Sequence, residues 1–332
     1  MPLDQTSGKE EVPRAGVDLD GSLAAVPAGA RLTDSARKDI HETLRKRNDS
    51  TGIVIVFGDH WFTRLFAEVW TALPNRLASL AIRPPAACCQ SFPRGFDPSR
   101  LAEQMPSSIA SSFPQWSLMK LAKSHSGLEV RTVPLEWTSA QARAQAADLD
   151  ERGLPDLLSS PPRRELEWLF NELRLARLSD VCGTVVSPVD ATAVLAGLWL
   201  LHGDAETSHR HSQSIEDQGR HRCGNYWHAI MHRQEPDYGN SKYWFRRVGQ
   251  HPMFPELARR ADELIVADGS QSARRWREKL GTPKFWNACA FVDWCESALR
   301  EGEGTQISLL RRIQFVEMQL LLRASYLDAT RK

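Results

Sequence analysis

The chain has 332 residues, about twice the usual single-domain length, so two compact units or one large one are both allowed. With 42% hydrophobic and 25% charged residues it is not a collagen-like, coiled-coil or wholly disordered chain. Forty-two Lys and Arg against 41 Asp and Glu leave a net charge of +1, a balance that draws the protein neither to nucleic acid nor to an anionic membrane.

Residues 1 to 35 are rich in Gly, Pro, Ala and acidic residues without periodicity, which predicts a disordered tail. The opening MPLDQTSGKEEVPR lacks the basic start and apolar run of a signal peptide, so a cytoplasmic location is expected. The six cysteines form no CxxC pair and read as reduced thiols, not as a zinc ribbon or a disulfide framework. The longest apolar run, Ala191 to Leu201, falls short of the roughly 20 residues that cross a bilayer, so no membrane span is expected.

Residues 36 to 155 read as a smaller, irregular, α/β-like region. GIVIVFG, Gly52 to Gly58, is a β-branched run bounded by glycines, and LEVRTVPLEW, Leu128 to Trp137, partly alternates apolar with polar. Between them Pro84, Pro85, Pro93, Pro106 and Pro114 leave little room for long elements. Gly58 and Asp59 follow a strand as in nucleotide-binding units, but no GxGxxG or GxxxxGK[ST] accompanies them to cradle a phosphate.

From residue 160 to 330 the pattern is mainly α, a multi-helix array or bundle with short connections. Ser160-Pro161-Pro162 supplies a cap and proline start ahead of Leu166, Leu169, Phe170 and Leu173. Ser187-Pro188-Val189-Asp190 resembles a capping box before ATAVLAGLWLL, whose all-round apolar surface marks a central helix. Thr282-Pro283 is expected to open a helix striped by Phe285, Ala288, Val292, Cys295 and Leu299 until Gly302. The last helix, Ile307 to Leu327, carries Leu309, Ile313, Val316 and Leu320 on a wide apolar face.

Two helical hairpins are predicted, at residues 192–215 around His202-Gly203-Asp204 and at residues 226–248 around EPDYGN. A shift of 33 residues superimposes Ala196 on Ala229, Asp204 on Asp237 and Ser208 on Ser241. With Phe245 as a second-helix aromatic and Pro252 near the repeat end, this pattern resembles the tetratricopeptide and Sel1-like helical repeats. The block YWHAIMHRQEPDYGNSKYWFRRVGQHP, Tyr226 to Pro252, also resembles the signature of an uncharacterised family of bacterial and fungal proteins, a likeness that implies no particular activity.

Seven of the ten histidines lie between His202 and His251. His228 and His232, four apart on a helix, can turn both rings to one cation, as in HExxH zinc sites. Ala229 stands where that motif has its Glu, and Glu206, Glu235 or Asp237 are the candidates for an oxygen ligand to a divalent metal. The alternative is that one histidine packs inside the hairpin, hydrogen-bonded, and the rest lie at the surface.

Arg233, Lys242, Arg246 and Arg247 are interleaved with Tyr226, Trp227, Tyr243, Trp244 and Phe245, which can build a pocket for phosphate or carboxylate or simply stitch two helices together. Six acids between Asp204 and Asp237 nearly cancel seven local cations, so a nucleic-acid partner is not expected. The resulting expectation is a helical interaction module whose surface of aromatic, His and Arg residues binds a protein or small anionic ligand, with Arg233, Asp237, Lys242, Tyr243, Arg246 and Arg247 as binding residues. Its rival is an enzyme with a metal or acid–base site at His228 and His232 and the arginines as anion clamps.

Overall fold

A computed structural model describes residues 14–19, 22–27, 30–45, 52–57, 60–83, 85, 88–91, 128–133, 135–161 and 166–331. The chain divides into two compact units, Met1–Gly153 and Leu154–Lys332.

In the first unit β1 (Arg14–Leu19) and β2 (Ser22–Pro27) pair as an antiparallel hairpin, and β3 (Ala30–Leu32) precedes α1 (Asp34–Arg45). The three strands fall within the span expected to be a tail, of which residues 1–13, 20–21 and 28–29 lie outside the described residues. The GIVIVFG run forms β4 (Gly52–Phe57), the middle strand of a three-stranded sheet between antiparallel β5 (Cys88–Ser91) and parallel β6 (Leu128–Val133). LEVRTVPLEW divides into β6 and β7 (Leu135–Trp137), and β7 pairs with β3 instead. Helices α2 (Trp61–Ala72), α3 (Asn75–Ala81) and α4 (Ala140–Arg152) are the other helices among the described residues of this unit, with Phe62, Leu65, Phe66 and Trp70 on the buried face of α2.

Among its described residues the second unit is built of helices and their connections, without a strand. It runs α5 (Glu167–Leu175), α6 (Leu178–Cys182), α7 (Pro188–Leu201), α8 (Ala205–Ser214), α9 (Cys223–Gln234), α10 (Tyr238–Val248), α11 (Phe254–Asp268), α12 (Gln271–Leu280), α13 (Ala288–Glu301) and α14 (Gly304–Thr330). Two of the expected starts differ. Helix α5 begins at Glu167, not at Pro161, because the Ser159 N–H donates to the carbonyl of Gln234 and holds the chain across the end of α9. Helix α13 begins at Ala288 with Asn287 as its cap, accepting from the Ala290 N–H. Phe285, expected on its apolar stripe, instead sits in the turn closed by the Phe285 N–H on the Gly281 carbonyl, and is exposed.

Helix α7 is the axle of the unit. Its start is fixed by Ser187, whose Oγ accepts from the Asp190 N–H, and nearly every side chain after Asp190 is buried against α8, α9 and α14. Gly197 lets α9 come close: a Cβ there would lie 2.4 Å from Cζ2 of the fully buried Trp227. Helix α9 is enclosed on every face, from Cys223 to Gln234.

The 33-residue correspondence has a structural counterpart. Asp204 caps α8 through Thr207 N at 2.8 Å, and Asp237 caps α10 through Asn240 N at 3.1 Å. Ala196, Ala229, Ser208 and Ser241 are all completely buried. Small side chains at these four points let each second helix lie close on the first, and Ser241 Oγ donates across the contact to the Ala229 carbonyl at 2.8 Å. Among the described residues no helix is long and apolar enough to cross a membrane.

Candidate metal centre

The antiparallel packing of α9 on α10 sets residues in rungs. His228 stacks on Trp244, with ring centroids 4.2 Å apart and planes at 23°. One turn along, His232 Nε2 meets Asn240 Nδ2 at 3.0 Å. Because His228 and His232 are four apart on α9 while Asn240 and Trp244 are four apart on α10, both rungs face the same way. The two imidazoles are themselves stacked, 4.7 Å between centroids.

A third imidazole closes this face from α8. There Ala205, Ser208 and Ser212 are buried, and His209, next to Ser208, reaches over the pair, 4.7 Å from the His228 ring and 5.6 Å from that of His232. One ring nitrogen from each of His209, His228 and His232 lies within 4.8 Å of the others. A tetrahedral zinc ion with bonds of 2.0–2.1 Å asks for ligand atoms about 3.3 Å apart, so ring movements on the order of 1 Å close the set around an ion.

The electrostatics suit a cation held by neutral rings. His228 is 2% exposed, and neither of its ring nitrogens has a hydrogen-bond partner. A buried polar atom left unpaired costs roughly 1–3 kcal/mol, so this ring invites a ligand. Burial, reinforced by the neighbouring His232 and His209, lowers the His228 pKa to about 3. Burial also lowers that of His232, against the opposing pull of Glu235. Both rings are therefore neutral near pH 7, each with one N–H and one nitrogen lone pair to offer. His209 is half-buried and marks the side of the cluster that faces solvent.

The proposed oxygen ligands are not in this set. Glu206 pairs with Arg210 at 3.5 Å, Asp237 caps α10, and Glu235 lies behind His232 with Oε2 3.3 Å from Nδ1. The histidine that completes the cluster, His209, is missed by spacing along one helix because it comes from another. Its signal is the Ser208–Ser241 correspondence, which puts the neighbouring residue at the edge of a close helix contact.

The cationic residues do not form the expected clamp. Arg233 points into the core, fully buried, and donates to Glu317. Lys242 pairs with Asp293 on α13 at 2.8 Å. Arg247 donates to Asp217 and to the Tyr243 hydroxyl, and lies over the Tyr243 and Trp244 rings, 5.6 Å from each centroid. Tyr243 and Arg246 are exposed on the outer face of α10. Nearby carboxylates thus neutralise three of the four cations, which removes Arg233 in particular as an anion clamp.

A separate, partly buried network joins His221, Cys223, His251 and Asp328. His221 Nδ1 lies 2.8 Å from the Asp328 carboxylate, and Cys223 Sγ lies 3.7 Å from Asp328 and 3.6 Å from His251 Nε2. Burial and then the Asp328 charge push the Cys223 thiol far up, so it stays protonated and is no nucleophile. The network ties the start of α9, the α10–α11 turn and the end of α14 together. No protein-family model, curated protein or solved structure matches the chain.

Proposed function

We propose that the helical unit binds a divalent transition metal through His209, His228 and His232 and keeps one coordination position open toward solvent. The observation that carries this reading is the convergence of three imidazoles from two helices on a buried point where both nitrogens of His228 have no other partner. An all-imidazole set suits zinc, copper, nickel or cobalt better than magnesium or calcium. Three protein ligands with a free fourth position is the arrangement of catalytic zinc, whose bound water ionises near pH 7, so metal-assisted hydrolysis is the class of reaction it fits. Glu235 lies beside this face, an acidic neighbour that favours a cation.

The test is metal content. Full-length protein incubated with Zn²⁺ or Co²⁺ and freed of excess should retain about one ion per chain, and His209→Ala should lose it while keeping its helical circular dichroism. Wild-type protein that holds no ion above the level of the His209→Ala variant overturns the reading.

A second reading rests on the outer face of α10, where Tyr243 is 45% exposed and Arg246 is exposed beside it. An exposed aromatic beside a cation is a contact surface for a protein or a small anion. Tyr243→Ala with Arg246→Ala should then change what copurifies without changing metal content; an unchanged set of partners and ligands refutes it.

A further inference from the structure

Resting on the metal reading, we propose that Glu235 and Asn240 are positioning residues that select Nε2 of His232 as its metal-binding atom, and that Asn240 then serves the oxygen ligand in the fourth position. Of the two buried imidazoles, His232 is the one with a polar neighbour at each ring nitrogen. Glu235 Oε2 lies 3.3 Å from Nδ1, at pairing distance but off the line of a formed bond, and Asn240 Nδ2 lies 3.0 Å from Nε2.

These two contacts agree on one tautomer for independent reasons. A carboxylate can only accept, so it calls for the proton on Nδ1. An amide NH₂ can only donate, so it calls for the lone pair on Nε2. The ring is thereby prepared with its lone pair on the side that Asn240 occupies, and a carboxylate behind a ligating imidazole is the usual means of fixing its orientation and raising its basicity.

A metal at Nε2 must displace the Asn240 donor. The Asn240 backbone stays in place, its N–H held by the Asp237 cap in the first turn of α10, so a turn of the side chain keeps the amide within reach of the site. Its NH₂ is left beside the ion with no acceptor on the ring, and the nearest new acceptor is the oxygen that completes the coordination. The ligand class this selects is a small oxygen donor able to accept that bond: water, hydroxide or a carboxylate.

The experiment separates this proposal from the reading beneath it. In metal-free full-length protein, ¹⁵N-edited spectra of the imidazoles should show His232 as the Nδ1–H tautomer, and Glu235→Gln should shift that population, with Glu235→Asp restoring part of it. In chelator competition, Glu235→Gln should weaken Co²⁺ binding about tenfold to hundredfold, since outer-shell partners carry that much. Asn240→Ala should leave Co²⁺ affinity equal or higher, yet raise the acetate concentration needed to change the visible spectrum of the Co²⁺ protein. A His232 tautomer indifferent to Glu235→Gln, or an acetate titration indifferent to Asn240→Ala, overturns the proposal. Failure of wild-type protein to take up Co²⁺ overturns the metal reading instead, and with it the role given to Asn240, while the tautomer measurement still judges Glu235.

Discussion

The guanidinium of Arg233 and the carboxylate of Glu317 pair at 2.5 Å with 1% and 0% of their side chains exposed. Tyr226 donates its hydroxyl to the same carboxylate at 2.9 Å, Gln314 accepts from Arg233 at 3.2 Å, and the guanidinium lies over the Phe291 ring, 4.6 Å from its centroid. Burial, with the Glu317 charge behind it, holds the Tyr226 hydroxyl well above its ordinary pKa, so it remains a donor. The network joins α9, α13 and α14 where apolar packing alone leaves partner and register less defined.

Removing one member strands the other. Glu317→Gln should lower stability in urea by about 3–5 kcal/mol, the range for a buried charge that loses its partner. The double replacement Arg233→Met, Glu317→Leu should recover most of that loss, because no charge is then left buried. Equal destabilisation of the single and double variants would contradict this account.

Gly197→Ala tests the contact of α7 with α9. The new Cβ meets Trp227, whose ring is fully buried and held by its Nε1–H on Ser325 Oγ at 3.2 Å, so the ring has little room to move. A gain in helix propensity of about 1 kcal/mol is set against overpacking of about 1–3 kcal/mol, and a net loss is expected by thermal or urea unfolding.

His251 makes stability depend on pH. It is 3% exposed, takes the Met253 N–H on Nδ1, and faces Cys223, Tyr226, Phe254 and His221, with Asp328 beyond the thiol. Burial and then His221 lower its pKa from 6.5 to about 4. The unfolded chain therefore binds a proton that the folded one refuses between those values. Stability attributable to this ring is intact above pH 6.5 and falls as pH drops toward 4, by about 3 kcal/mol in all. His251→Gln, which cannot titrate, should flatten the urea-midpoint profile across that window; an equally steep profile would show the ring uninvolved.

The two hairpin caps should be worth similar amounts. Asp204→Ala and Asp237→Ala each remove one accepted N–H bond at the start of a second helix, Asp204→Ala also the bond from the Thr207 hydroxyl, and each should cost about 1 kcal/mol in urea unfolding, Asp204→Ala at least as much as Asp237→Ala. A cap whose removal costs nothing would break the equivalence of α8 and α10.

Much of the helical unit is written locally. Ser187 and Asp204 announce helix starts because a short acceptor side chain reaches an N–H only three residues on, whereas α10 starts three residues earlier than the EPDYGN turn suggests, with Asp237 and not Asn240 as its cap. Leu309, Ile313, Val316 and Leu320 announce the face of α14 because helical period is a property of one segment. Where several local solutions compete, the sequence misleads: Thr282-Pro283 has the chemistry of a start, but the chain turns through Phe285 and leaves the capping to Asn287.

In the first unit the Ile and Val run of β4 and the alternation through Leu128–Val133 are legible, whereas the strand Cys88–Ser91 and the pairing of all three are not, since pairing depends on distant segments. The centre divides the same way. That His228 and His232 share a side follows from a spacing of four; that His209 meets them, that Asn240 and Glu235 take opposite edges of one ring, and that Arg233 turns inward to Glu317 depend on how each helix is rotated about its axis. Burial of Gly197, Ser208 and Ser241 at the crossings sets those rotations, and no period within a single helix encodes them.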